Sequence, residues 1–255
     1  MVKQDPDYTV FAKEYAAKER ETTKQELKFL DAIFKKNRVK KVLDVACGPG
    51  RLTFLLNELG YEMFGTDLSS EFIEMNKEKA KTLGRSINFS VENMSSMKKH
   101  DVFDAAICMW GSFTYLERID EMIDTLKGMN RNLKKGGILI IDVAPGWYDV
   151  VVGKRYKIKM HDKPVKNGKI CVTDVQFDSA DQFSLQHDEY VTYVGGKIKS
   201  VHKFDRKRYH FTPTMFDLLL RNSGFKIDAF YSDRDVKKKL PQKKLNRLIV
   251  VAKKV

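Results

Sequence analysis

Phe29, Leu30, Ile33 and Phe34 recur at helical spacing, so residues 8–36 read as one or two amphipathic helices. An apolar run follows, Val42, Leu43 and Val45, broken only by Asp44, and it reads as a buried parallel strand. The run meets Cys47-Gly48-Pro49-Gly50, a turn with two glycines in three positions, and Arg51 to Leu59 then reads as a helix. Glu62 to Gly65 is a second short strand that ends at Asp67. Ala105 to Cys108 is another buried run, and Asn132 to Asp142 holds a helix end, a glycine pair and a fifth strand. Strands alternating with helices in this way predict a parallel sheet wrapped by helices.

The pattern changes after the fifth strand. Between residues 155 and 211, β-branched and aromatic residues alternate with charges, as in Lys169 to Phe177 and His187 to Val194. Asn167-Gly168 and Gly195-Gly196 have the chemistry of hairpin turns. The segment is expected to be an antiparallel meander of three or four strands. A helix then starts with Thr212 as N-cap and Pro213 at the first helical position, and ends near Gly224. Phe225 to Tyr231 and Asn246 to Lys253 read as the last two strands, antiparallel at the sheet edge, with an exposed lysine-rich loop (Lys237 to Lys244) between them. The expected organisation is therefore residues 1–150 as N-terminal helices and α/β core, 151–211 as an inserted element, and 212–255 as the closing helix and strand pair.

With 255 residues, 42% of them hydrophobic, the chain can bury one α/β core with a small appended element. No apolar stretch approaches the roughly 18 residues that span a membrane, and Met1 to Asp7 has no signal-peptide character. Cys47, Cys108 and Cys171 form no Cys-x-x-Cys pair, which argues for a reducing, cytoplasmic setting and against a disulfide framework or a zinc site. Charge is distributed unevenly. Residues 1–150 hold 23 Lys+Arg against 23 Asp+Glu, whereas residues 151–255 hold 24 against 11, so the whole net charge of +13 falls in the later part. That basic part reads either as a solvated lysine-rich face or as a surface for RNA or another acidic partner.

The glycine turn lies where strand meets helix, so main-chain N–H groups at the helix start face any ligand above the strand ends. Asp67, seventeen residues past Gly50, can accept two hydrogen bonds from the vicinal hydroxyls of a ribose. Turn, helix and acid thus point to a nucleoside. A dinucleotide turn is excluded because Thr53 stands where the third glycine belongs, and no P-loop pattern occurs.

Here the chain resembles the class I S-adenosylmethionine-dependent methyltransferases. Their first motif, acid-x-Gly-x-Gly-x-Gly, reads Asp44-x-Ala46-x-Gly48-x-Gly50, with Ala46 replacing the first glycine. The resemblance implies a Rossmann-like, mostly parallel seven-stranded sheet with helices on both faces, and S-adenosyl-L-methionine as cofactor. It makes Ala46, Cys47 and Gly48 the lining of the methionine part, with Asp44 and Gly50 in the same motif. Asp67 becomes the ribose acceptor and Leu68 packs on the adenine. Asn88 to Met94 resembles the third motif, with Asn93 in the place often held by Asp and Met94 over the ring; Asn accepts the adenine amino hydrogen bond as Asp does. Phe103 to Gly111 resembles the fourth motif, which brings Met109 and Trp110 to a strand end, either as core packing or as site residues. Tyr8 to Tyr15 resembles the Tyr-x-x-x-Ala-x-x-Tyr helix of small-molecule methyltransferases, in which Tyr15 faces the methionine end. The resemblance covers residues 8–145 well and 211–254 as the closing elements.

Methyl transfer from a sulfonium is an in-line displacement with a neutral leaving group, so the protein mainly places the acceptor and excludes water. A base is needed only where the acceptor must lose a proton. The chain lacks the Asn/Asp-Pro-Pro-aromatic motif of base-amine methylation, the Pro-Cys of cytosine methylation, a paired-glutamate loop and an acidic metal constellation. A meander after the fifth strand resembles that of small-molecule N-methyltransferases, where it roofs the pocket or forms a homodimer contact. Trp110, Tyr115, Tyr190, His202 and His210 are the polar aromatic residues expected nearest the acceptor, although Tyr190 and His202 also fit ordinary packing in amphipathic strands. The expected acceptor is a small molecule, more an amine than a hydroxyl. The other reading is an RNA-associated methyltransferase or cofactor-binding subunit that docks through the basic part.

Overall fold

The structure, a computed structural model, describes residues 21–99, 102–143, 156–159, 168–178, 182–241 and 247–255. In chain order the elements are α1 (Glu21–Lys36), β1 (Lys41–Val45), α2 (Arg51–Glu58), β2 (Glu62–Asp67), α3 (Ser70–Thr82), β3 (Asn88–Val91), β4 (Phe103–Cys108), α4 (Ile119–Asn132) and β5 (Leu133–Val143). Four strands follow, β6 (Tyr156–Lys159), β7 (Gly168–Asp178), β8 (Phe183–Val194) and β9 (Lys197–Tyr209), and then α5 (Pro213–Arg221), β10 (Phe225–Tyr231) and β11 (Leu248–Lys254). The chain divides into two compact units, one of residues 13–145 with 211–255 and the other built on residues 146–210.

The first unit is the seven-stranded sheet, in the order β10-β11-β5-β4-β1-β2-β3. β1 pairs in parallel with β2 and β4, β4 with β5 and β2 with β3, while β11 runs antiparallel to β5 and β10. Chain order reverses between β1 and β4, and at such a switch point loops diverge to leave a crevice at the carboxyl strand ends. Strands covered on both faces must be apolar throughout. Ala105–Cys108 of β4, Ile138–Val143 of β5 and Leu248–Ala252 of β11 are accordingly buried, with Asp142 the one acid among them. The apolar stripe of α1 packs one face: Phe29 meets Tyr231 edge-on at 5.1 Å and Phe34 meets Tyr61 at 5.1 Å. Burying each such ring contributes roughly 1.5–3 kcal/mol. Ser69 caps α3 through Phe72 N–H, and Thr212 caps α5 through Met215 N–H with Pro213 at its start. These caps satisfy main-chain donors that the first helical turn leaves open.

The second unit is an antiparallel sheet in the order β6-β7-β8-β9. Gly195 and Gly196, at φ 60° and 79°, make the β8–β9 turn, as their chemistry predicts. Gly168 is not a turn residue: it opens β7, paired with Tyr193 of β8, and Asn167 lies outside the described residues. Gln182 leads into β8 at φ 54°, a left-handed position that no glycine or asparagine announces in the sequence.

Candidate active site

The β1–α2 connection is held from three sides. Cys47 N–H donates to the Thr66 carbonyl of β2 at 2.9 Å, and Gly50 N–H returns to the Cys47 carbonyl at 3.1 Å. The Asn76 side-chain amide, buried on α3, donates to the Gly48 carbonyl at 2.8 Å. The two glycines serve opposite faces of this loop. A Cβ on Gly50 (φ 74°) would stand 2.7 Å from Asn76 Oδ1 and 2.8 Å from the Phe54 ring. On Gly48 (φ 54°) it would meet nothing described within 4 Å, so the backbone there is open to a ligand. Ala46 holds φ 57°, a left-handed position that strains any side chain and tolerates a methyl better than a larger group.

Carboxylates surround the loop. Asp44 is buried and accepts the Thr53 hydroxyl at 2.6 Å; desolvation pushes its pKa up to about 7 against the Thr53 bond and the nearby Arg51 charge. Asp67 accepts Gly48 N–H at 2.7 Å on Oδ2 and Ser69 N–H at 2.9 Å on Oδ1. Burial raises its pKa, and the backbone N–H groups of Ser69, Gly48 and Leu68 oppose the rise. A carboxylate with about four acceptor positions still has room for a further donor, such as a ribose hydroxyl. Burial and the charges of Asp44 and Asp67 hold the Cys47 thiol well above the usual range, which disfavours the thiolate.

Leu68, immediately after Asp67, is 45% exposed and offers an apolar surface beside the carboxylate. Asn93 is exposed after β3; its Oδ1 accepts the Ser95 N–H and hydroxyl, both at 3.0 Å, and caps a 3-10 turn that starts at half-buried Met94. Met109 is buried among Leu52, Ile107 and Ile140 in the core. Trp110 holds φ 63° and Gly111 φ 82°, and Gly111 N–H donates to the Asp142 carbonyl at 2.8 Å. That bond turns the chain at the carboxyl end of β4. Tyr115 is half-buried at the end of a 3-10 turn that begins at Ser112.

Trp110 and Tyr115 thus belong to the first unit, whereas Tyr190, His202 and His210 belong to the second. Tyr190 and His202 sit opposite one another on β8 and β9, and Tyr190 stacks on Phe204 at 5.1 Å. His210 lies further along, its ring 5.4 Å from Phe177 and its N–H on the Gln182 carbonyl. Tyr15 lies outside the described residues.

Five residues absent from the sequence-based expectations form a charge chain at the carboxyl ends of the strands. The buried Glu26 of α1 receives Arg51 Nη1 at 2.7 Å and Arg234 Nε at 2.9 Å. The buried Asp142 of β5 receives Arg234 Nη2 at 3.0 Å and Arg247 Nε at 2.7 Å. Arg51 and Arg234 also lie over the Trp110 ring, 5.0 and 4.7 Å from its centroid. No local motif announces this chain, because its members come from segments up to 221 positions apart; only Asp142, an acid in an apolar strand, is a signal in itself.

The residues present fit S-adenosylmethionine: an open backbone at Gly48, a ribose acceptor with spare lone pairs at Asp67 and an apolar platform at Leu68. Residues 42–137 match the family described as Methyltransferase domain. The chain is 27% identical over 194 residues to "Putative methyltransferase YqeM" of Bacillus subtilis (strain 168), covering 76% of each protein. An S-adenosylmethionine-dependent methyltransferase from Clostridium acetobutylicum ATCC 824 shares the fold with a TM-score of 0.82 at 20% identity, over 97% of this chain and 98% of that one. CalS10 from Micromonospora echinaspora, an amino pentose methyltransferase solved with its cofactor bound, follows with a TM-score of 0.74 at 15% identity, over 96% and 97%. Motif, geometry and relatives agree: residues 42–137 are a methyltransferase domain, and the protein is an S-adenosylmethionine-dependent methyltransferase.

Proposed function

We propose that the enzyme methylates the amine of a small molecule. The observation that carries this reading is the end of β4, where Met109-Trp110-Gly111 replaces a base-methylation motif and the charged groups beside Trp110 are committed to ion pairs. Among the described residues beside Trp110 no uncommitted base stands out, and a neutral amine attacks without one. A four-stranded antiparallel unit after β5 supports the same reading, since CalS10, of similar fold, is an amino pentose methyltransferase.

The cofactor, when bound, supplies an activated methyl on sulfonium sulfur. The Gly48 backbone, Asp67, Leu68 and Asn93 are assigned to binding and orienting it, with the buried core beneath excluding water. An amine that arrives protonated must shed its proton first, so turnover should rise with pH toward the amine's own pKa. The excess of Lys and Arg beyond residue 150, much of it on β9 (Lys197, Lys199, Lys203, Lys207), favours a second reading, RNA as the acceptor. A screen with radiolabelled methyl donor against metabolite pools and total RNA in parallel decides between them. Label on small amines supports the first; label on RNA alone, with binding that falls steeply with salt, supports the second.

A further inference from the structure

Three guanidiniums and two carboxylates alternate along Arg51, Glu26, Arg234, Asp142 and Arg247. Both carboxylates are fully buried and each already holds two arginines. Asp44, the other acid near Arg51, is turned to Thr53. Among the described residues, three arginines therefore share two carboxylates. The surplus has an address: Nη2 of Arg247 is buried with no hydrogen-bond partner among the described residues, and Arg51 and Arg247 keep 21% and 17% of their side chains exposed. Leaving a charged buried donor unmade is expensive, and an ion-pair chain of this kind stabilises a fold little better than apolar residues would. Such an arrangement is explained by an anion that completes it.

Strand order says where that anion sits. Arg51 starts α2 beside the donor loop at β1, whereas Arg247 precedes β11, beyond β4 and β5 from β1. Trp110, at the end of β4, stands between them in this order. The unmade donor is thus on the far side of Trp110 from the cofactor loop. We propose that Arg247, held by Asp142 and backed by Arg234, is an anion subsite that takes a carboxylate carried by the methyl acceptor. The inference rests on the small-amine reading and narrows it to amines that also bear an acid. A guanidinium fork suits a planar carboxylate, and two guanidiniums already on Trp110 make that ring a poor seat for a cationic acceptor.

Two measurements on the full chain test it. The first needs no turnover. With Trp147 replaced by Phe, Trp110 is the remaining tryptophan, and acetate is titrated into the complex with S-adenosylhomocysteine at constant ionic strength. A saturable change in Trp110 emission is expected, lost in Arg247→Gln and weakened in Arg247→Lys, which keeps the charge on Asp142 without the fork. No saturable change in the wild type overturns the subsite, whatever the acceptor proves to be. The second compares methylation of amino acids with the matching amines that lack the carboxylate. The wild type should prefer the acids by about tenfold or more in kcat/KM, and Arg247→Gln should abolish that preference through KM. An unchanged preference in Arg247→Gln overturns the proposal. So does an Arg247→Gln loss of affinity for S-adenosylhomocysteine that spares methylthioadenosine, because the carboxylate read is then the cofactor's. If acetate binds but only RNA is labelled, the amine reading falls, the acceptor carboxylate falls with it, and only anion binding at Arg247 stands.

Discussion

In the seven-stranded sheet the inner positions of β4, β5 and β11 are apolar almost without a break, whereas β8 of the antiparallel sheet buries Ser184, Gln186 and Asp188 on alternate positions. Leu185, His187 and Glu189 point to the other, more open side of the same strand. One sheet is specified by the hydrophobic effect, which fixes position through burial and close packing and asks little of any single hydrogen bond. The other spends buried positions on groups that must each find a partner, as Asp188 does in Arg206. Buried polar groups add little stability unless each is paired, and when fully paired they rigidify one arrangement of the core. Under the proposed function, the first unit binds the cofactor and the second takes part in acceptor choice.

Substitutions break or sharpen this contrast in order of size. Gly50→Ala should cost about 3 kcal/mol or more, because the added Cβ collides with Asn76 and Phe54 at a left-handed φ, and calorimetry should show cofactor affinity falling with it. Gly195→Ala, left-handed but in open space, should lower stability far less and leave cofactor binding alone. Asp67→Ala should weaken S-adenosylhomocysteine by about 1.5–3 kcal/mol in a titration, through loss of a charge-assisted pair. In the second unit, Asp188→Asn should lower the melting temperature by the equivalent of about 1–2 kcal/mol while leaving that titration unchanged.

The smallest effect is one of pH. The folded-state pKa of Asp44, about 7, stands above its ordinary value, so the folded chain holds that proton more tightly than the unfolded chain. The contribution is complete below pH 4 or so and is lost as pH rises toward 7. Chemical denaturation should show stability falling by about 1 kcal/mol between about pH 6 and 8, and Asp44→Asn should flatten the slope.

The same contrast decides what could be read from the sequence. Val42 to Val45, the Gly48-Pro49-Gly50 turn and Asp67 are legible because strand, turn and acid lie within 26 residues and each has its own chemistry. The seven-stranded sheet follows from strand–helix alternation. Gly168 was expected in a turn because Asn-Gly favours one, but pairing with β8 takes it into β7. Asn76 and, apart from Asp142, the Glu26–Arg247 charge chain left no trace, since nothing local distinguishes a helix Asn or a lysine-rich chain's arginines until the fold brings them together. Trp110 was legible only as an aromatic at a strand end; its guanidinium neighbours come from residues 51 and 234.

The most direct test of the account is calorimetric titration of S-adenosylhomocysteine into the folded full chain and into a chain with residues 155–211 replaced by a short linker. The account predicts single-site binding by both, with affinities within about threefold of each other. Absence of binding by the folded full chain would contradict the cofactor assignment, and loss of binding in the shortened but folded chain would contradict the division of labour between the two sheets.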